Sequence, residues 1–342
     1  AQILARGSLV LASIILARNL GSEEFAAYSY FQITVSMLAS YSAMGLGVTA
    51  SHFFALGAKS HREVCPPIAS LWMISACLSL FCFLLVFLLP GELLNSGLDI
   101  PKWLFAVGVL AMAIGVVPAG GVLGLEQYKQ ATIVAALSSG FIVAGAFIAG
   151  SMQSEKLAMA FFVSASAVNA FGSAVVVLRK FSWRTMVESS SLDFLSFKRV
   201  IVFAGPLLGV TLLAASGTWL VGRIVLAEPE GKFEFSLFSI GLQWYALALF
   251  IPGMVSRVLL PRMAVSHASG DVVVSRKLVR QGCAVTLISA LIISLTGVLV
   301  SPWLITLYGD KYGLNESLIG AYLLAAVPAA PINTIGNAII AA

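Results

Sequence analysis

The stretch "YSYFQI" at residues 28–33 returns at 235–240 as "FSLFSI". Aromatic, Ser, apolar, Phe, polar and Ile follow in the same order in both copies. Each copy opens a long apolar run, so the meaning of the repeat depends on what those runs are. Of 342 residues, 59% are apolar and 10% charged, and the mean hydropathy is +0.98. Soluble domains carry about 25% charge, so most of this chain faces something other than water. Apolar runs broken by short polar clusters are the pattern of a polytopic helical membrane protein.

A helix needs about 20 apolar residues to cross a hydrocarbon layer about 30 Å thick. Ten stretches qualify: 3–17, 26–56, 68–89, 103–125, 131–149, 157–178, 200–227, 236–259, 283–307 and 317–341. The chain opens on Ala1 and stops at Ala342 inside an apolar run, and is read as a fragment of a longer protein. With the loop after the first span outside and sides alternating, thirteen Lys and Arg face the cytoplasm and six face out. That bias puts the N-terminus in the cytoplasm. The net charge of +5 is then a matter of topology, since no aromatic-basic module for nucleic acid is present.

The two copies of the repeated phrase begin spans two and eight. Six spans separate them, so both run in the same direction, as in a parallel repeat about an axis along the membrane normal. A second echo, "VVPAG" at 116–120 and "AVPAA" at 326–330, falls at nearly the same interval in spans four and ten. The expected fold is an all-α polytopic membrane protein with two pseudo-symmetric six-helix lobes, about ten of a probable twelve helices being present. The N-terminal lobe covers 1–180, a cytoplasmic linker 181–199, and a truncated C-terminal lobe 200–342.

Polar groups inside spans are the candidate functional residues. Ser29, Gln32, Ser36, Ser40 and Gly47 follow one face of span two, as Ser236, Ser239 and Gln243 do in span eight. Two readings stand for these stripes: close helix packing, or the wall of a water-filled cavity. A third stripe, Ser166, Asn169 and Ser173, reads as packing. Arg6 lies twelve residues before Arg18, about 18 Å deeper along one helix, with Ser13 and Ala17 on its face. An intramembrane cation is a candidate functional site; the alternative is that Arg6 snorkels to the surface. Arg18 and Arg223 end spans one and seven, where interfacial anchoring and ligand contact are both open. Arg257 reads as an ordinary positive-inside residue. No Asp or Glu falls inside a span, and cations without acids suit an anionic substrate such as a phosphate or diphosphate.

Signs of enzyme chemistry are scarce. There is no Walker A sequence, no HExxH and no Cys-pair metal spacing, and no cofactor or metal site is expected. His52, His61 and His267 are far apart, and Cys65, Cys77, Cys82 and Cys283 read as lone thiols. Gly120, Gly121 and Gly124 sit in an apolar helix after Pro118, which suggests a kink or close helix packing.

Four blocks then resemble a known group, in order along the chain. They are "ILARNLGSEEFAAYSYFQI" (15–33), "DFLSFKRVIVFAGPLLG" (193–209), "IPGMVSRVLLPRMAVSHASGD" (251–271) and "LYGDKY" (307–312). They are similar to blocks of the polysaccharide or O-antigen flippases, in the multidrug/oligosaccharidyl-lipid/polysaccharide (MOP) exporter superfamily. The resemblance implies two six-helix lobes around a cavity open to one side at a time. It implies export of a polyprenyl-diphosphate-linked oligosaccharide across a bacterial cytoplasmic membrane, with Arg6, Arg18 and Arg223 as the positions that could meet the diphosphate. Implied partners are the lipid-linked oligosaccharide, membrane lipids and other polysaccharide-assembly proteins, with no nucleic acid. A drug–cation antiporter of the same superfamily would want an intramembrane carboxylate. A flippase for peptidoglycan precursors or teichoic acid fits the residues equally. A polysaccharide polymerase or glycosyltransferase would want a large outer loop, whereas the longest loop, 179–199, is inside by charge.

Overall fold

The computed structural model describes residues 2–43, 45–59, 68–180, 194–256, 259, 272–309, 311–312 and 316–341. Arg257, His61, Cys65, His267, linker residues 181–193 and nearly all of 257–271 lie outside the described residues. Among those described there is no strand. The helices are α1 (Gln2–Asn19), α2 (Ser22–Ala43), α3 (Leu46–Lys59), α4 (Ile68–Leu88), α5 (Gly91–Asn95), α6 (Lys102–Ile114) and α7 (Val116–Gly124). They continue as α8 (Tyr128–Ser151), α9 (Glu155–Lys180), α10 (Phe194–Leu226), α11 (Gly231–Ala248), α12 (Val272–Thr306) and α13 (Glu316–Ala341). Seven described helical stretches are long and apolar enough to cross a membrane, or eight if α2 and α3 count as one bent span. The protein is an all-α polytopic membrane protein.

All ten expected spans correspond to helices, three of them interrupted; in span eight the break is the turn at Leu249, after which 250–256 are again helical. Span two bends by 49° between α2 and α3, where Gly45 takes a φ of 73° that a residue with a Cβ avoids. Span four breaks at Gly115, just before Pro118 in the first turn of α7. Its echo, Pro328, stays within the continuous α13. α10 begins at Phe194, so 194–199, expected as linker, are helical.

Two compact units result, Ala1–Glu234 and Phe235–Ala342. This division falls later than the lobe boundary drawn from the repeat, because α10 packs on α2, α3 and α4 of the first unit. In that unit α1 packs on α8, α8 on α9, and α6 against α2, α4 and α9. Phe31 of α2 meets Phe105 of α6 and Phe162 of α9, with ring centroids 5.1 and 6.2 Å apart. In the second unit α12 and α13 form the main pair. Ser256, Thr286 and Thr334 tie that unit together through buried hydroxyl contacts of 2.7 and 3.0 Å.

Helices in lipid gain little from burying apolar surface and rely on close packing. The α3–α7 crossing is where the backbones come closest. A Cβ on Gly120 would collide with the Gly47 carbonyl oxygen, and one on Gly124 with the Ser51 carbonyl oxygen. The suggested close packing of these glycines is therefore present, beside the break at Gly115. Gly120→Ala should destabilise the protein by about 1–3 kcal/mol, as overpacking does. Gly140→Ala, where nothing lies within 4 Å, should be neutral or slightly stabilising. Thermal unfolding in detergent measures the difference.

Candidate functional site

α2 and α10 run antiparallel, and a seam of polar side chains joins them. Tyr41 and Ser216 hydroxyls meet at 2.6 Å. Ser216 also donates to the Leu212 carbonyl at 2.6 Å, so its single proton is committed and Tyr41 is the donor. Trp219 donates its indole N–H to Thr34 Oγ1 at 3.1 Å. Toward the start of α2, the Tyr30 hydroxyl lies 2.8 Å from that of Ser96, in the bend after α5. Arg223, in the last turn of α10, holds its guanidinium carbon 5.3 Å from the centroid of the Trp219 ring.

The spacing explains why these groups coincide. Ser216, Trp219 and Arg223 recur at three and four residues on α10, and Tyr30, Thr34 and Tyr41 share one face of α2. Eleven residues from Tyr30 to Tyr41 make the seam about 16 Å long. Thr34 is fully buried and Arg223 half-buried. Among the described residues no carboxylate pairs with Arg223.

Further contacts fix which loops share the Arg223 end. Lys232 at the start of α11 pairs with Glu23 at the start of α2. Lys156 of α9 pairs with Asp99, before α6, at 2.8 Å, and Lys102 caps the end of α4 through the Leu89 carbonyl. All of these residues belong to loops assigned to one side by the alternation. The Lys156 hydrogen bond and charge hold the Asp99 carboxyl below its ordinary value, but both groups are exposed and the pair adds little stability. Acids whose side chains are described within the helices stand in first turns: Glu23 and Glu24, Glu92, Glu155 and Glu234. There they meet the positive end of the helix dipole, and the described span interiors hold none.

The other expected site residues fall into two groups. Ser13, Ser29, Ser236 and Ser239 are buried between helices and line no open surface here. Gln32, Ser36, Ser40 and Gln243 are half-buried and keep accessible surface. The stripes thus contain both packing and open positions, along each helix in turn. Arg6 and Arg18 are exposed at opposite ends of the continuous α1, so their axial separation of about 18 Å holds. Ser13 and Ala17, on the face of Arg6, are covered while Arg6 is open. Among the thiols Cys82 is buried, whereas Cys77 is exposed. No group of His, Cys, Asp or Glu that could hold a metal occurs among the described residues.

No protein-family model matches the chain. The fold itself has solved counterparts. A multidrug resistance MATE family transporter of the MOP superfamily, in an inward-facing conformation, superposes with a TM-score of 0.74 at 16% identity, over 99% of this chain and 82% of that one. The chain shares the fold of that transporter. A MATE transporter from Vibrio cholerae gives a TM-score of 0.60 at 16% identity, over 99% of this chain and 83% of that one. By sequence, the chain is similar to the "EPS I polysaccharide export inner membrane protein EpsE" of Ralstonia solanacearum, with 23% identity over 283 residues and 77% of this chain. The same protein of Ralstonia nicotianae shows 22% identity over 295 residues and 81% of this chain. The chain spans 61% and 64% of the length of these two relatives. The proteins just named are exporters and transporters rather than enzymes.

Sequence reasoning singled out Arg223 but missed Trp219, Thr34, Tyr30, Tyr41, Ser216 and Ser96. Trp219 could have been found, since it stands one helical turn before Arg223 and offers a ring face to a cation. If the seam contributes as geometry indicates, a double-mutant cycle of Tyr41→Phe and Ser216→Ala should give a coupling of about 1 kcal/mol in detergent-solubilised protein. A coupling near zero would mean the pair adds nothing to α2–α10 association.

Proposed function

We propose that the protein exports a polyprenyl-diphosphate-linked oligosaccharide across the cytoplasmic membrane, for surface polysaccharide assembly. The observation that carries this reading is Arg223, half-buried at the end of the α2–α10 seam, with no carboxylate in the described span interiors. Taking a diphosphate out of water without a counter-charge is very costly, and a guanidinium offers planar, charge-assisted donors to phosphate oxygens. The names of the Ralstonia relatives, polysaccharide export inner membrane proteins, support the same substrate class and membrane. Alternating access by two like-oriented lobes would carry the headgroup across while the lipid tail stays in the bilayer. Arg6 and Arg18, stacked along α1, would supply further positive charge on that route, and Gln32, Ser36, Ser40 and Gln243 its polar wall. The N-terminus would lie in the cytoplasm.

A second reading is favoured by the structural neighbours, which include a multidrug resistance transporter. A cation-coupled drug exporter would need an acid to bind its ion or cargo, and the described span interiors offer none.

The test is translocation by the full-length protein in proteoliposomes. A fluorescent polyprenyl-diphosphate sugar should cross, and Arg223→Ala should slow it about tenfold or more, with Arg223→Lys intermediate. Transport of a lipophilic dye cation in place of the lipid would sink this function and favour the second reading.

A further inference from the structure

We infer that Trp219 and Thr34 are positioning residues that set the orientation in which Arg223 meets a diphosphate; this rests on the function proposed above. An arginine side chain is long, and holding its fork in one direction costs rotamer freedom. Here its guanidinium lies over the Trp219 ring, 5.3 Å from the centroid. Attraction to a ring face needs no oxygen acceptor, so it leaves guanidinium N–H donors for oxygen ligands.

The indole in turn is fixed by its N–H on Thr34 Oγ1 at 3.1 Å. Thr34 is fully buried on α2, so this acceptor is rigid. One turn away, Tyr30 is anchored by its hydroxyl contact with Ser96 and lies within electrostatic reach of Arg223. The order runs from α2 core to indole to guanidinium. Two helices therefore fix a charge that one flexible side chain could not. Trp219 carries no charge, and Thr34 lies buried behind it; both act through Arg223.

The experiment uses full-length protein in nanodiscs, with farnesyl diphosphate as the headgroup probe. Trp219→Phe keeps a ring face and removes the N–H; Thr34→Val keeps the shape and removes the acceptor; Thr34→Ser keeps the acceptor. Trp219→Phe and Thr34→Val should each weaken binding about fivefold, and Thr34→Ser should leave it near wild type. In an Arg223→Ala background, Thr34→Val should cost nothing further, because the residue it positions is gone. Fluorine NMR of fluorotryptophan-labelled protein reads the same arrangement without ligand. The Trp219 signal, assigned by its loss in Trp219→Phe, should move in Thr34→Val and in Arg223→Ala but not in Thr34→Ser. An equal loss of binding for Thr34→Val with and without Arg223, or a Trp219 signal indifferent to both changes, overturns the positioning role. Shifts as expected, with farnesyl diphosphate binding absent in every form, would retain the positioning of Arg223 and defeat the diphosphate reading instead.

Discussion

Inside a hydrocarbon layer no water remains to satisfy a polar side chain, and the seam between α2 and α10 is built under that constraint. Its phenols, hydroxyls and indole are spent on one another: Tyr41 on Ser216, Trp219 on Thr34, Tyr30 with Ser96. Leaving such a group unpaired in lipid costs far more than pairing it gains, so the contacts specify register as well as adding stability. With α10 held in that register, the last turn brings Arg223 onto the face of Trp219. The charge is thus placed by neutral groups around it, with no acid paired to it among the described residues. An arginine tied to a carboxylate would be a structural strut. One stacked on an indole keeps its donors for a ligand.

The same constraint sorts the serines. Ser13 and Ser239 return their protons to the Val10 and Ser236 carbonyls on their own helices, which lets neighbouring helices approach without a stranded donor. Glycine serves the same end at the α3–α7 crossing, where backbone meets backbone. Ser29, Ser70, Ser79 and Ser139 differ in being buried with no hydrogen-bond partner for their hydroxyls. Small polar residues in these spans therefore serve packing first. Gln32, Ser36 and Ser40 on α2, and Gln243 on α11, stay half-buried.

Much of the fold was legible in the sequence, for a physical reason. The need to span a fixed apolar thickness leaves its mark in run length, and each expected span has its helix. Both copies of the repeated phrase are covered in this structure: Tyr28–Phe31 of α2 and Phe235–Leu237 of α11 are all buried. What run length cannot carry is partnership. Ser29, Gln32, Ser36 and Ser40 mark one face of α2, but α10 meets Tyr30, Thr34 and Tyr41, about 100° round the helix. Periodicity identifies faces without saying which neighbour covers each. Breaks were harder still, since "VVPAG" and "AVPAA" look alike, yet only the first follows a break. Compactness and internal symmetry also proved to be separate properties, because α10 packs with the first unit although the repeat assigns it to the second lobe.

The central claim is that Arg223 presents its cationic edge to a water-accessible route where a phosphate-bearing headgroup binds. Labelling with a membrane-impermeant thiol reagent tests it most directly, on full-length protein with its native cysteines removed and Arg223→Cys introduced. The account predicts that this position reacts, and that the cysteine variant, having lost the guanidinium, binds a polyprenyl diphosphate at least about tenfold more weakly than protein with Arg223 while binding of a neutral polyprenol is unchanged. A position that never reacts, or a diphosphate affinity that the loss of Arg223 leaves unchanged, would contradict it.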